Sequence, residues 1–534
     1  MPRPAPVRPS LAPYAVKPVQ QLLTDAAATW PDRVAIIDGD REFTFSALDT
    51  HSDRLATALA GFGVAKGDFV GLLAPNCAEF EIAFFGVMKT GATVSTINSG
   101  YREREVAQQL KDCGAAILIV HESLLEVAGL AMSGLESPPR LIVIAPDASD
   151  PDSFWGLLTN ATGAPPTVDI DPMEDIAVLP YSSGTTGLSK GVMLTHHNLT
   201  SNVEQFVRRA EEAAPQHDDV VLVHLPLFHI YGMNVLMNPA IAVGSVQVMM
   251  GRFDIDEFLS LLARRRVTAL YTAPPVCVAL SRYPGVREHD LSALRMMLVG
   301  AAPLSADLQD RVQEVMGVPV IQGYGLTETS PVTNADFIEP DRRRAGSIGP
   351  GIADTEQKVV DLESGESEVP FGEPGELLIR GPQVMKGYFN NPRETAETFT
   401  ADGWLRTGDI VRMDEDGYLW ILDRKKELIK YKGFQVPPAE LEGLLLEHEA
   451  VADCAVIGKA DPEAGEIPKA FVVLKDGAQA GAEELMQFVA GRVATFKQVR
   501  EVEMLDSIPK NPSGKILRRV LVERERAGAR GVSG

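Results

Sequence analysis

Residues 179–199 read LPYSSGTTGLSKGVMLTHHNL. A strand-like apolar run enters a turn made of Ser182, Ser183, Gly184, Thr185, Thr186, Gly187 and Leu188, and beyond Ser189 the residue Lys190 opens a second strand-like run. Ser182, Ser183, Thr185 and Thr186 offer hydroxyl donors, Gly184 and Gly187 let the backbone approach a ligand closely, and Lys190 brings a positive charge. Such a strand–loop–strand can wrap a polyphosphate. It is not a Walker loop, because the lysine and hydroxyl spacing differs and no helix follows at once.

On both sides of this loop short β-branched runs alternate with helix-length segments. Val34–Asp38 and 42–45 read as strands around an Asp-Gly turn, and Ser46 with Asp49 gives a capping signal ahead of Leu48, Leu55 and Leu59 on one helical face. Phe69–Leu73, 92–97 and 116–120 read as further strands, which predicts βαβ crossovers and a parallel sheet buried on both faces. A second alternation runs from 176 to about 331, and a glycine-rich, strand-dense stretch over 341–422 predicts a small β unit. The GFGVAKG at 61–67 imitates part of a dinucleotide fingerprint, but it follows a helix and precedes a strand, so it reads as a helix-ending turn. The uncharged stretch 230–251 is long enough to span a bilayer, yet it contains Asn234, Asn238, Pro239, Ser245 and Gln247, and it reads as a buried helix followed by a strand at 243–250. Residues 1–17 are proline-rich, lack the apolar run of a secretory signal, and read as a flexible arm without chemistry.

At roughly 150 residues per domain, the 534-residue chain predicts two to four structural units. Its 45% hydrophobic and 23% charged residues fit a globular protein. A net charge of −23 makes nucleic-acid phosphate a poor bulk partner. Cys77, Cys113, Cys277 and Cys454 are scattered and form no C-x-x-C pair, which fits a reducing cytoplasm. Charge is unevenly spread: 10 of the 17 lysines lie in 424–534, and none falls between Lys190 and Lys358. That contrast fits either a small domain with a different surface or a mobile basic lid over an anionic substrate.

Two further segments carry chemistry. In GYGLTETSPV, 323–332, Tyr324 between two glycines can lay its ring against a base, Thr327 can donate to a phosphate, and Glu328 offers a hard oxygen ligand for Mg²⁺. In GWLRTGD, 403–409, Asp409 can accept hydrogen bonds from both ribose hydroxyls.

Taken in order, SSGTTGLSKG, GYGLTE, GWLRTGD, DRKKELIKYKGFQV and PKNPSGK resemble the signatures of the adenylate-forming enzymes, the superfamily of acyl-CoA synthetases, peptide-synthetase adenylation domains and beetle luciferases. The resemblance spans about residue 18 to about 520. It is closest to the 4-coumarate-CoA ligases and their bacterial relatives, through PLFHIYGMN, VGAAPL, GELLIRGP and KYKGFQVPPAELE.

The resemblance implies an α/β fold in which a large N-terminal adenylation domain, 18–423, comprises two βα-layered subdomains and a distorted β-barrel. A small mobile α+β C-terminal lid, 424–534, would turn about a hinge at Lys426. The implied reaction has two steps: a carboxylate attacks the α-phosphate of Mg-ATP, giving an acyl-adenylate and pyrophosphate, and the thiol of coenzyme A then displaces AMP. By likeness, Ser182, Ser183, Gly184, Thr185, Thr186, Gly187 and Lys190 hold the β and γ phosphates, and Glu328 with Thr186 serves the metal. Gly300, Ala301, Ala302, Gln322, Gly323 and Tyr324 surround adenine, Thr327 contacts the α-phosphate, and Asp409 and Arg424 bind ribose. Lys515 bridges carboxylate and α-phosphate in the first step, and Lys430 contacts the adenylate. Arg252, Lys432 and Gly433 meet coenzyme A. The acyl pocket falls to His229, Ile230, Tyr231, Asn234, Leu298, Gly300, Pro331 and Val332, with His229 at its mouth. The implied partners are small molecules, with the chain a monomer or weak homodimer.

Two departures stand out. Ser189 occupies the family's usual proline position in the phosphate loop, which loosens that turn. Leu298 replaces the lysine that the plant coumarate ligases carry before their Gly-Ala-Pro segment, and an apolar floor does not favour a phenolic hydroxyl. An arylpropenoate is the expected acid, and a medium- or long-chain fatty acid is the alternative. An amino-acid-activating domain would need an acidic partner for the substrate ammonium, which 228–231 does not offer, and a non-catalytic scaffold would have no need of Lys515, Glu328 and Asp409 together.

Overall fold

A computed structural model describes residues 8–146, 149–182, 189–209, 214–432, 434–461, 463–511 and 514–531. The described residues divide into two compact units, one within 8–356 with 379–405 and one within 357–378 with 406–531. The strand-dense stretch 341–422 is thus shared between the two units.

The larger unit holds two eight-stranded sheets. In the first, Val320–Gly325, Met296–Val299, Ala269–Thr272, Val220–Val223, Val246–Met249 and Val34–Asp38 run parallel in that spatial order, with Val332–Ala335 and Arg41–Thr44 antiparallel at the two edges. In the second, Ile176–Val178, Thr93–Thr96, Phe69–Leu73, Ile117–His121 and Arg140–Ile144 are parallel neighbours. The near-continuous apolar strands read from sequence are buried on both faces, as a parallel sheet covered by helices requires.

Three local expectations are corrected. The hairpin Val34–Asp38 and Arg41–Thr44 does not join the sheet of Phe69–Leu73, because Ile36 and Ile37 pair with Gln247 and Val248 some two hundred residues away. The following helix, Phe45–Gly61, is capped by the hydroxyl of Thr44, which accepts from the Ala47 amide at 3.1 Å, rather than by Ser46 or Asp49. The apolar stretch after Ile230 begins as one wide π-helical turn, Gly232–Met237, before the short helix Asn238–Val243 and the strand Val246–Met249. Glycine is required at 232, since a Cβ there would lie 2.3 Å from the Pro226 carbonyl oxygen.

Within the arm two residues are packed against the larger unit's own elements. Arg8 and Leu11 are buried, and Asp354 accepts hydrogen bonds from the Leu11 amide and the Tyr14 hydroxyl.

The smaller unit is built around a four-stranded sheet, Glu356–Val360, Gly375–Arg380, Leu405–Met413 and Leu419–Arg424, and a five-stranded sheet. The latter centres on the long antiparallel pair Val451–Asp461 and Gly465–Leu474, packed by the helices Pro438–Glu447 and Ala482–Ala490. Between Arg424, which pairs with Asp409, and Ile429, which opens the second sheet, lies a short link containing the exposed Lys426. All four cysteines are buried free thiols.

One buried charge site tests the core. Glu81 is fully buried, and its Oε2 accepts from the Gln247 amide at 3.1 Å, while Glu81 Oε1 and Gln247 Oε1 have no partner. A proton on the carboxyl would join those two oxygens and complete an acid–amide pair, and burial raises the Glu81 pKa from 4.5 to about 8. The stabilising effect of that proton is complete below about 4.5 and is lost as pH climbs through about 8. Glu81→Gln is therefore expected to raise the melting temperature at pH 8.5 more than at pH 6; thermal denaturation at the two pH values checks it, and a larger gain at pH 6 would contradict it.

Candidate functional site

The phosphate-loop motif is a hairpin, with Tyr181–Ser182 and Lys190–Thr195 paired antiparallel so that Ser182 faces Lys190. Ser183, Gly184, Thr185, Thr186 and Gly187 lie outside the described residues. Ser189 sits with its hydroxyl 3.4 Å from that of Tyr101. Lys190 forms an ion pair with Glu394 and lies 5.2 Å from the centre of the Tyr388 ring.

Tyr388 is the residue that sequence reasoning missed here. It belongs to the two-residue strand Gly387–Tyr388, which pairs antiparallel with the Lys190 strand at Met193 and Val192. Its hydroxyl donates to Glu328 Oε1 at 2.9 Å, so one phenol touches both the proposed phosphate lysine and the proposed metal ligand. Burial and the neighbouring Glu328 carboxylate both push that phenol's pKa up, keeping it a donor. A lone Tyr in a short polar run gives no periodic signal, and only the strand pairing reveals it.

Glu328 lies in the single turn Thr327–Thr329, which follows the strand Val320–Gly325, and its carbonyl accepts from the Met385 amide at 2.8 Å. Among the described residues, Glu328 Oε2 takes no hydrogen bond. A carboxylate with one oxygen oriented by a phenol and the other available suits a hard cation such as Mg²⁺.

The residues expected around adenine lie at two strand ends that the sheet brings side by side. Val299 pairs in parallel with Gln322, so Gly300, Ala301 and Ala302 leave one strand beside Gln322, Gly323 and Tyr324 of the next. Ligand sites in open α/β sheets form at such carboxyl ends. Ala301 has φ +71 and Ser330 has φ +67, left-handed backbone in non-glycine residues that brackets this region with strain. The Gln322 side chain accepts from the Leu304 amide at 3.1 Å and donates to Gln309 at 3.2 Å, which ties the loop after Gly300 to the neighbouring strand.

The acyl candidates gather around the π-helical turn. The Tyr231 hydroxyl donates to the carbonyls of Thr272 (3.1 Å) and Leu298 (3.3 Å), and its ring would lie 3.1 Å from a Cβ at Gly300. The Asn234 amide donates to Leu199 and Ser330 carbonyls and its oxygen accepts from Asn238. Leu298 is buried, within 3.3 Å of where a Cβ at Gly323 would be. Ile230 and Val332 are buried beside this group, Pro331 follows Ser330 through a cis bond, and the His229 ring accepts from the Tyr231 amide.

In the smaller unit, Asp409 and Arg424 face each other across adjacent strands and form an ion pair of 2.8 Å. Lys515 is brought into their field: Arg424, Glu427, Asp409 and Arg518 are the charges that act on it. Burial, and then Arg424, lower its pKa. Its backbone is fixed by Asn511, whose side chain accepts from the Lys515 amide at 2.8 Å and whose own amide donates to the Lys515 carbonyl. Lys430 and Lys432 are exposed, Lys432 with φ +48, while Gly433 lies outside the described residues. Arg252 is exposed on the larger unit.

These features have the shape of a nucleotide-dependent, adenylate-forming enzyme. The AMP-binding enzyme model matches residues 23–389, and the model of the AMP-binding enzyme C-terminal domain matches 440–515; the chain belongs to the family of AMP-binding enzymes. It is 41% identical to a 4-coumarate–CoA ligase of Pinus taeda over 516 residues, 95% of each chain. It is likewise 41% identical to 4-coumarate–CoA ligase 5 of Oryza sativa subsp. japonica, over 96% of this chain and 95% of that one. Among solved structures it resembles an anthranilate CoA ligase in complex with anthranoyl-AMP, with a TM-score of 0.87 and 30% identity over 96% of this chain and 98% of that one. The ATP-bound MatB from Rhodopseudomonas palustris gives 0.86 at 28% identity over 95% and 99%. Among the described residues, no helix is long and apolar enough to cross a membrane.

Because the Tyr231 hydroxyl is engaged by two backbone carbonyls, Tyr231→Phe is expected to cost about 1–2 kcal/mol of stability, measured by chemical denaturation. The KM for the acid should change little, and a large KM change at unaltered stability would put that hydroxyl on the substrate instead.

Proposed function

We propose that this chain is an ATP-dependent acid–CoA ligase that activates an arylpropenoate carboxylate of the cinnamate and 4-coumarate type. In the first half-reaction the carboxylate oxygen bonds to the α-phosphorus of ATP and pyrophosphate leaves; in the second, the coenzyme A thiol bonds to the acyl carbon and AMP leaves. The difficulty of the first step is electrostatic, since an anion must approach a polyanion.

The observation that carries the reading is Lys515 lying in the field of Asp409 and Arg424, the three residues assigned to the α-phosphate and ribose. Lys515 holds the attacking carboxylate against the α-phosphate. Asp409 and Arg424 take the ribose hydroxyls, and Lys190 with the hydroxyl loop takes the β and γ phosphates. Glu328, oriented by Tyr388, would hold Mg²⁺, which would supply charge neutralisation. For the second step the lid turns about Lys426, withdrawing Lys515 and presenting Lys432 and Gly433 to coenzyme A. The arylpropenoate assignment is supported by the names of relatives sharing 41% of their residues over nearly the whole chain. The enzyme works in the cytoplasm, as a monomer or weak homodimer.

Two measurements test this. Lys515→Ala is expected to abolish pyrophosphate release while leaving transfer from a preformed acyl-adenylate to coenzyme A largely intact; equal losses in both half-reactions would refute the division of labour. Pyrophosphate release should be fastest with cinnamates in a panel running to C16 fatty acids, and preference for a fatty acid would overturn the substrate assignment.

A further inference from the structure

The amino-terminal strap is the feature that the reaction scheme leaves unused. Arg8 is only 5% exposed, and its guanidinium donates to three backbone carbonyls: Ala335 at 2.9 Å, Gly351 at 3.2 Å and Pro350 at 3.3 Å. Its planar head also lies 4.4 Å from the centre of the Phe337 ring. A buried guanidinium tied this way is costly to place and costly to remove, because three carbonyls lose their donor with it.

What those carbonyls belong to gives the strap its meaning. Val332–Ala335 is the edge strand of the first sheet, and among the described strands its neighbour is Val320–Gly325. Ala335 pairs directly with Gly323, Asn334 with Tyr324, and the Asp336 amide donates to the Gln322 carbonyl at 2.9 Å. The outer side of the edge strand meets the turn near residue 351, through the bridge Asn334–Gly351 and the Ile352 amide on the Thr333 carbonyl. Arg8 fastens strand and turn together at both Ala335 and Gly351. Leu11 and Tyr14 hold the strap down on Asp354 three residues beyond.

We propose that Arg8 is a positioning residue for ATP: from outside the site it holds the edge strand whose partners are Gln322, Gly323 and Tyr324. The inference rests on the reading of those three residues as the adenine wall. Loss of the tether lets the strand ends shift, and nucleotide affinity suffers before any other parameter.

Calorimetric titration of the full chain with Mg-ATP tests this, beside steady-state KM values for ATP, acid and coenzyme A. Arg8→Ala should weaken ATP binding about tenfold with unchanged stoichiometry, and leave the other two KM values near wild type. Arg8→Lys, which keeps the charge but loses the planar fork, should recover part of the loss. Tyr14→Phe removes the second tether without touching Arg8; it should show a smaller loss in the same direction and decides the matter if Arg8→Ala does not fold. A merely structural role would lower the binding stoichiometry at constant affinity, or raise all KM values alike, and either result overturns the proposal. If the wild-type chain fails to bind ATP, the adenine-wall reading itself is wrong and the strap proposal falls with it; if it binds ATP and Arg8→Ala binds equally well, only the strap proposal falls.

Discussion

The ammonium of Lys515 sits where burial and the Arg424 guanidinium both disfavour its charge, while Glu427 and then Asp409 favour it, and Asp409 is already joined to Arg424 at 2.8 Å. A cation held in that way is best satisfied by an anion arriving from outside. The reaction needs this, because the chain carries 23 excess negative charges and both reactants are anionic. The same device recurs in the larger unit, where Lys190 is paired with Glu394 and Glu328 with the Tyr388 hydroxyl. These internal partners keep each charged group oriented, and under the proposed function phosphate and metal would take their place. A preorganised site of this kind does its electrostatic work without reorienting dipoles at the moment of reaction.

How much of this was legible from sequence depends on the range of the signal. The hydroxyl- and glycine-rich run ahead of Lys190 stood out as a motif because its residues lie together in the chain, and the pairing of Tyr181 and Ser182 with Gly191 and Lys190 joins the two short strands that flank it. The buried parallel strands were visible as apolar runs. The pairing of Ile36 with Gln247 was not, since nothing local to residue 36 says which of two similar sheets it will join. Tyr388 and Arg8 were hidden for the same reason: each acts through residues tens or hundreds of positions away, and neither stands in a motif. The proline-rich composition of the arm argued for looseness and gave no sign that Arg8 would be buried with three carbonyl partners.

The Thr44 cap and the π-helical turn illustrate a different limit. Thr44 is β-branched and ends a strand, so it satisfies strand propensity while its hydroxyl starts the next helix. At Gly232–Met237 the wide turn widens the helix beside Asn234, whose amide bridges Leu199 to Ser330. Helical periodicity carries no mark of an inserted residue, and only the close approach of Gly232 to Pro226 betrays it.

That bridging bears on selectivity at the proposed acyl wall. Besides His229 at its mouth, Tyr231 and Asn234 are the polar side chains assigned to it, and both donate to the backbone, at Thr272, Leu298, Leu199 and Ser330. What they offer a substrate is therefore shape, with the buried Leu298 contributing only apolar surface. A wall of this kind distinguishes acids by the volume and flatness they fill. It discriminates weakly, by no more than about a hundredfold, between two acids that differ only in one ring hydroxyl. Position 298, where a lysine would supply a buried donor to that hydroxyl, is leucine. The physical expectation is an enzyme selective for the arylpropenoate frame and tolerant of what decorates its ring.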